Sequence, residues 1–343
     1  MDIETVNARQ FPPGKVVKLN HESLCLRGNR WGDPAERTVH VYLPPGYEEQ
    51  PQQRYPCFWH LAAYTNSGLG MDNWRGFEES LPQRLDRLIS TGKIGPVIVV
   101  APDGFTRLGG NQYVDSPAIG PYLTYVNDEL VDFVDARFRT KAEAAHRAVL
   151  GKSSGGYGAM QFAMQRPGLW GAIGNQSGDA GFELVYQPEF PTAASVLARH
   201  QFDIARFIEV FWGSRSKGGG DFSTLMVCCL AASYAPEPDS DLGFILPFDH
   251  HTLELDEERW ARWLSMDPVR QVRACGPELK QLRAIYMDCG NRDQYNIHFG
   301  MRRLSRELNS LGIDHICEEF DGTHSKIDHR LDRSLSYLYQ HIS

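Results

Sequence analysis

From residue 55 onward, short apolar runs alternate with amphipathic stretches, and this alternation limits what the chain can fold into. The runs at 55–61, 94–101, 145–150, 171–176, 282–289 and 314–320 are brief and rich in Val, Ile, Leu and aromatic residues. Such runs suit strands buried on both faces. Between them, residues 81–89, 122–138, 155–165, 297–311 and 329–342 carry helical spacing, and Gly312 stands where a helix C-terminal stop belongs. Strand and helix in alternation imply a mostly parallel central sheet flanked by helices on both sides. Residues 14–45 differ: they alternate apolar and polar side chains and end at Pro44-Pro45-Gly46, the pattern of antiparallel edge strands.

One region interrupts the alternation. Residues 181–265 hold aromatic and helical patches, a Gly218-Gly219-Gly220 break and a proline-rich stretch from Pro236 to Pro247. The expectation is a single α/β domain over 1–343, with 181–265 inserted as a lid or cap over the carboxyl ends of the strands, where ligands bind in such sheets. The insertion's aromatics, Phe182, Tyr186, Phe190, Phe207, Phe211, Trp212, Tyr234, Phe244, Phe248, Trp260 and Trp263, are expected mostly to pack its own core. The remainder are expected to line one wall of a pocket.

Charge excludes some partners. The formal net charge is -8 and no basic cluster interrupts it, which argues against nucleic acid or an anionic membrane as the main partner. No run reaches the roughly 18 apolar residues of a membrane-spanning helix. The start, Met1 to Lys15, has neither a positive nor an apolar segment of a secretory leader. Seven cysteines, an odd count without a Cys-x-x-Cys pair, read as mostly small buried thiols in a reducing cytoplasm.

Gly151-Lys152-Ser153-Ser154-Gly155 matches G-x-S-x-G, and its context matters more than the match. It lies between the strand-like Ala148-Val149-Leu150 and a helix rich in small residues, where a nucleophile elbow must lie. A sharp turn there exposes the serine, and the flanking glycines let strand and helix touch. The same residues could close a phosphate-binding loop, but that motif needs glycine where His146 stands. A nucleophilic serine needs a base and an orienting acid. Asp293, in the loop after the penultimate strand, and His324, after the last, stand in the chain order this architecture uses. Asp288 lies inside a strand and is read as serving packing or a backbone N–H. The oxyanion donors are expected to be the backbone N–H groups of Ser154 and Tyr64, with Ala63 the near alternative. Tyr113, Asp115 and Ser116 are placed at the rim of the site, and Asp179 beside an acyl pocket. His250-His251 lack an acid or cysteine at ligand spacing, so neither metal nor organic cofactor is expected.

These segments resemble a known family, the putative esterases, which takes in S-formylglutathione hydrolases, feruloyl esterase domains, enterochelin esterases and mycolyltransferases. The resemblance runs from about Arg37 to the C-terminus and is weakest over 181–265. It is carried by VYLPPGY, HLAAYTNSG, VIVVAPDG, NQYVDSPAIGPYLTYVNDEL, GKSSGGYGAM, DCGNRDQYNIHFG and EEFDGTHSKIDHR. It implies the α/β-hydrolase fold, a serine nucleophile at Ser153, an acid at Asp293 and a base at His324. It leaves the second oxyanion donor open, because family members often carry glycine at Ala62 or Ala63. The expected function is hydrolysis of a small-molecule carboxylic ester, with acyl transfer to an alcohol or a non-catalytic binding role as the alternatives. Acyl group, alcohol and any homo-oligomer are left open.

Overall fold

In a computed structural model, residues 11–343 are described; the expectation about a secretory leader falls largely on residues 1–10, outside that range. Eight strands form one sheet: β1 (Lys15–Glu22), β2 (Glu36–Leu43), β3 (Cys57–Leu61), β4 (Ile98–Pro102), β7 (Arg147–Lys152), β8 (Ala172–Gln176), β9 (Ala284–Gly290) and β10 (Ile316–Phe320). A separate two-stranded ribbon pairs β5 (Asp115–Ser116) with β6 (Gly120–Pro121). The order across the sheet is β1-β2-β4-β3-β7-β8-β9-β10. β1 and β2 are antiparallel, as their alternating pattern required, and β2 pairs antiparallel with β4. From β4 to β10 every pairing is parallel.

Period two sorts the strand side chains onto two buried faces. Phe58, Ala148, Leu150 and Tyr286 meet Leu85 and Leu88 of helix Leu81–Ser90 and Leu335 and Leu338 of helix Leu331–Ile342. Trp59, Val149, Ile173 and Met287 meet the other layer, built from helices Ser154–Gln165 and Ile297–Ser310. This two-sided cover is why β3, β4, β7, β8 and β9 read as continuous apolar runs.

Residues 181–265 carry five helices, Phe182–Val185, Phe190–Ala198, Ile204–Gly213, Asp221–Tyr234 and Glu257–Ser265. Their aromatics join the core of the second face. Phe190 stacks on Phe248 at 4.5 Å and Phe182 on Tyr234 at 5.1 Å. Of the insertion aromatics named above, all but Trp212 are buried. Trp212 lines a cavity with Arg37, Asp103 and Phe105. No described helix is long and apolar enough to cross a membrane.

Candidate active site

β7 delivers Lys152 to the carboxyl edge of the sheet, and the chain reverses at Ser153 into helix Ser154–Gln165. Ser153 has φ 56° and ψ −125°, a region that L residues rarely enter and that costs on the order of 1–3 kcal/mol. Its N–H donates to the Gln176 carbonyl at 2.9 Å, which ties the turn to β8. The glycines on either side are enforced by backbone. A Cβ on Gly155 would stand 2.2 Å from the Leu61 carbonyl oxygen, and one on Gly151 2.6 Å from the same atom. The motif glycines are thus the residues that let helix and strand meet closely enough to push the serine outward.

Asp293 and His324 come together from separate loops. The His324 Nδ1–H donates to Asp293 Oδ2 at 2.8 Å, and the carboxylate is fully buried. Asp293 Oδ1 accepts the Tyr295 N–H at 2.9 Å, so both oxygens are held and the acid cannot swing away. The His324 backbone N–H donates to Gln294 Oε1 at 3.0 Å, and the Tyr295 ring meets the imidazole edge-on at 5.0 Å. An imidazole fixed this way keeps its proton on Nδ1 and offers Nε2 as a base.

Asp288 serves elsewhere. Its side chain points to the opposite face of the sheet, where Oδ2 accepts from Arg330 Nε and the Tyr286 hydroxyl, each at 2.9 Å. An arginine and a phenol hydroxyl, rather than a backbone N–H, are the donors to this carboxylate. Burial raises its pKa and the Arg330 guanidinium pulls it back.

A further carboxyl stands beside the serine. Asp179 is buried and its Oδ2 accepts the Tyr186 hydroxyl at 2.8 Å. Burial pushes its pKa up to about 6, against contrary pulls from the Tyr186 hydroxyl, the His324 charge and the Ser153 hydroxyl. The polar chain continues from Tyr186 to the Tyr234 hydroxyl at 3.3 Å, on to Gln112 Oε1 at 3.2 Å, and from Gln112 Nε2 to Ser154 Oγ at 3.1 Å. Gln112 carried no sequence signal of its own, whereas Tyr186 and Tyr234 stood among the insertion aromatics, which were expected mostly to pack the insertion's own core. The raised Asp179 pKa fixes a sign: the folded state keeps this proton to higher pH than the unfolded chain, whose value is near 3.8. Its contribution to stability is complete below about pH 4 and is lost as pH rises through 6. Asp179→Asn keeps an acceptor for Tyr186 and removes the buried charge. It should raise the melting temperature more at pH 8 than at pH 4. Equal shifts at the two pH values would show that Asp179 ionises in the fold without penalty.

The early loop after β3 frames the other side. The Thr65 N–H is taken by the Gly109 carbonyl and the Asn66 N–H by the Ala63 carbonyl, while those of Ala63 and Tyr64 are not used by the loop's own turns. Tyr113, expected at the rim, is buried; its hydroxyl donates to the Ala62 carbonyl at 2.9 Å and so braces this loop from behind. Ser116, also expected at the rim, is buried in the short ribbon and donates to the Ala232 carbonyl of the insertion. Asp115 accepts from the Thr124 N–H at 2.9 Å. His250 and His251 pack their rings on Phe202. Among the described residues, no three His, Cys, Asp or Glu side chains cluster as metal ligands would.

A parallel sheet with an antiparallel edge, a strained serine between strand and helix, and a buried Asp–His pair from later loops define an α/β-hydrolase. The chain belongs to the family described as "Putative esterase", whose model matches residues 34–332. An endo-1,4-beta-xylanase/feruloyl esterase of Xylanibacter ruminicola is 32% identical over 162 residues, covering 45% of this chain and 20% of that protein. An esterase of Mycobacterium tuberculosis is 36% identical over 96 residues, covering 27% of this chain and 20% of its own length. The chain thus spans about a fifth of the length of these curated relatives. Among solved structures, a ferulic acid esterase matches with TM-score 0.62 at 19% identity, over 96% of this chain and 99% of that one. An S-formylglutathione hydrolase from Agrobacterium tumefaciens matches with TM-score 0.60 at 17% identity, over 97% of each. These structural likenesses carry the fold.

Proposed function

We propose that this protein hydrolyses carboxylic esters through an acyl-enzyme on Ser153. The observation that carries the reading is the buried Asp293–His324 pair at 2.8 Å in the neighbourhood of a serine held at φ 56°. Ser153 follows β7, Asp293 follows β9 and His324 follows β10, three parallel strands of one sheet, so all three stand at its carboxyl edge. Ser153 Oγ attacks the ester carbonyl carbon and gives its proton to His324 Nε2. The oxyanion takes hydrogen bonds from the N–H groups of Ser154, at the start of its helix, and of Tyr64 or Ala63. The tetrahedral adduct collapses and the alcohol leaves with the proton from His324. Water, deprotonated by the same imidazole, then attacks the acyl carbon and releases the acid and the serine. Asp293 holds the imidazole's orientation and stabilises its charged form. Neither a metal nor an organic cofactor enters these steps.

The relatives named above direct the choice of substrates: feruloyl esters and S-formyl thioesters belong in one panel beside simple acetyl and p-nitrophenyl esters. A fluorophosphonate probe should attach to Ser153, located by peptide mass spectrometry, and block turnover of whichever esters are cleaved. Attachment elsewhere, or turnover that survives full labelling, would overturn the reading. Among the described residues all seven cysteines are free thiols, which favours a reducing compartment such as the cytoplasm.

A further inference from the structure

Next to the elbow lies a cavity of about 240 Å³ that none of Ser153, Asp293 and His324 lines. It opens on the face of the sheet covered by helices Leu81–Ser90 and Leu331–Ile342, beneath the carboxyl edge. Its wall takes residues from four neighbouring strands, Ala101 from β4, His60 and Leu61 from β3, Lys152 from β7 and Gln176 from β8, of which His60, Lys152 and Gln176 are polar. Ala62 and Ala63 of the loop after β3 form another side, and Lys326, Ile327 and Asp328, which follow His324, form a third.

The hydrogen-bonding capacity of this wall is unbalanced toward donors. Arg75 is engaged by Glu78 at 2.7 Å, and Arg84 by Glu79 and Asp332. Lys152 and Lys326, by contrast, have no carboxylate within 4.0 Å among the described residues. Gln176 is 3% exposed, and its Nε2 has no hydrogen-bond partner. Burial lowers the pKa of Lys152, opposed by the more distant charges of Asp328 and Asp293, with Arg75 acting in the same direction as burial. Burial lowers the His60 pKa as well, which keeps that ring neutral. A half-buried ammonium and a buried amide N–H₂, both without acceptors, are groups that an oxyanion would satisfy.

We infer that this cavity is a carboxylate subsite for the leaving alcohol of the substrate, held by Lys152 and Gln176 at its floor and Lys326 at its mouth. The inference rests on the ester-hydrolase reading. The alcohol arm is indicated because the leaving oxygen must lie beside the imidazole that protonates it, and the segment just after His324 is a wall of this cavity. Lys152 is the x of G-x-S-x-G, so the subsite is tied through one peptide bond to the nucleophile it serves.

The test compares two acetate esters of equal size, 4-acetoxybenzoate and its neutral counterpart 4-acetoxybenzamide, with the full-length protein. The native protein should prefer the acid by about tenfold or more in kcat/KM, the worth of one charge-assisted hydrogen bond. Lys152→Met should bring the ratio of the two toward one, and Lys152→Arg should restore part of it. Lys326→Met, at an exposed position, should lower the ratio without threatening the fold. Asp328→Asn should raise it. A native ratio of one or less overturns the subsite, as does a ratio that neither lysine variant moves. A protein whose Ser153 takes no fluorophosphonate overturns the hydrolase reading itself, whereas one that is labelled yet cleaves neither ester overturns the subsite, which keeps the two failures apart.

Discussion

Ser153→Ala should remove ester hydrolysis while leaving a folded protein with nearly native stability. The substitution deletes one oxygen and keeps Cβ, so neither the turn at φ 56° nor its N–H bond to Gln176 is disturbed. The rate should fall by on the order of 10⁴-fold or more, because nucleophile, base and acid act as a unit and the loss of one disables the others. Active-site titration followed by kcat/KM on a reactive p-nitrophenyl ester measures the loss, and circular dichroism on heating measures the fold. Ser153→Gly provides an internal check on the elbow. Glycine enters this backbone region freely, so relief of strain should make Ser153→Gly more stable than Ser153→Ala by about 1 kcal/mol, although glycine also gains entropy in the unfolded chain. Both variants should be equally inactive. Turnover retained by a pure, folded Ser153→Ala sample would sink the serine mechanism.

Much of this arrangement could be read from residues, and the unread part has a common cause. β3, β4, β7, β8 and β9 were legible because burial on both faces leaves an apolar run with no alternation to confuse. The elbow was legible because its glycines answer to backbone contacts that admit no Cβ. Asp293 and His324 were legible from chain order, since each follows a strand of the parallel sheet. Other features depend on partners distant in sequence. The helix expected over 122–138 widens to π turns at Tyr125–Leu130. There Asn127 Oδ1 accepts from Trp170 Nε1 at 2.7 Å, a bond across 43 positions. Tyr113 and Ser116 were placed in a rim loop, but their burial was not legible, because a loop carries no period to say which side chains face inward. The insertion's aromatics gave composition without direction for the same reason. Asp179 was placed beside an acyl pocket by its strand end, yet its raised pKa comes from burial, and the Tyr157, Tyr186 and Tyr234 side chains around it come from three separate segments of the chain.

The two acids near the end of β9 should separate function from stability. Asp293→Asn is expected to lower kcat by about 10⁴-fold, because an amide in place of the carboxylate favours the wrong imidazole tautomer and no longer stabilises the imidazolium. Its effect on folding should be small, since an asparagine oxygen can still accept the Tyr295 N–H that now reaches Oδ1. Asp288→Asn should do the reverse. The Arg330 guanidinium, shared between Asp288 and Glu318, loses one buried counter-charge, and the Tyr286 hydroxyl loses part of its acceptor. Weakening that buried network should cost about 1–3 kcal/mol of stability. The chemistry should survive, because the Asp288 side chain lies on the face of the sheet away from His324. Strand β9 makes the contrast possible: Asp288 and Asp293 are five positions apart, but one still belongs to the strand and points to the Arg330 layer, whereas the other lies past its end at Gly290, in the loop that turns toward the histidine. Kinetics and chemical denaturation of the two variants, measured on the same preparations, decide the assignment. A loss of kcat in Asp288→Asn with an active Asp293→Asn would move the acid to β9 itself.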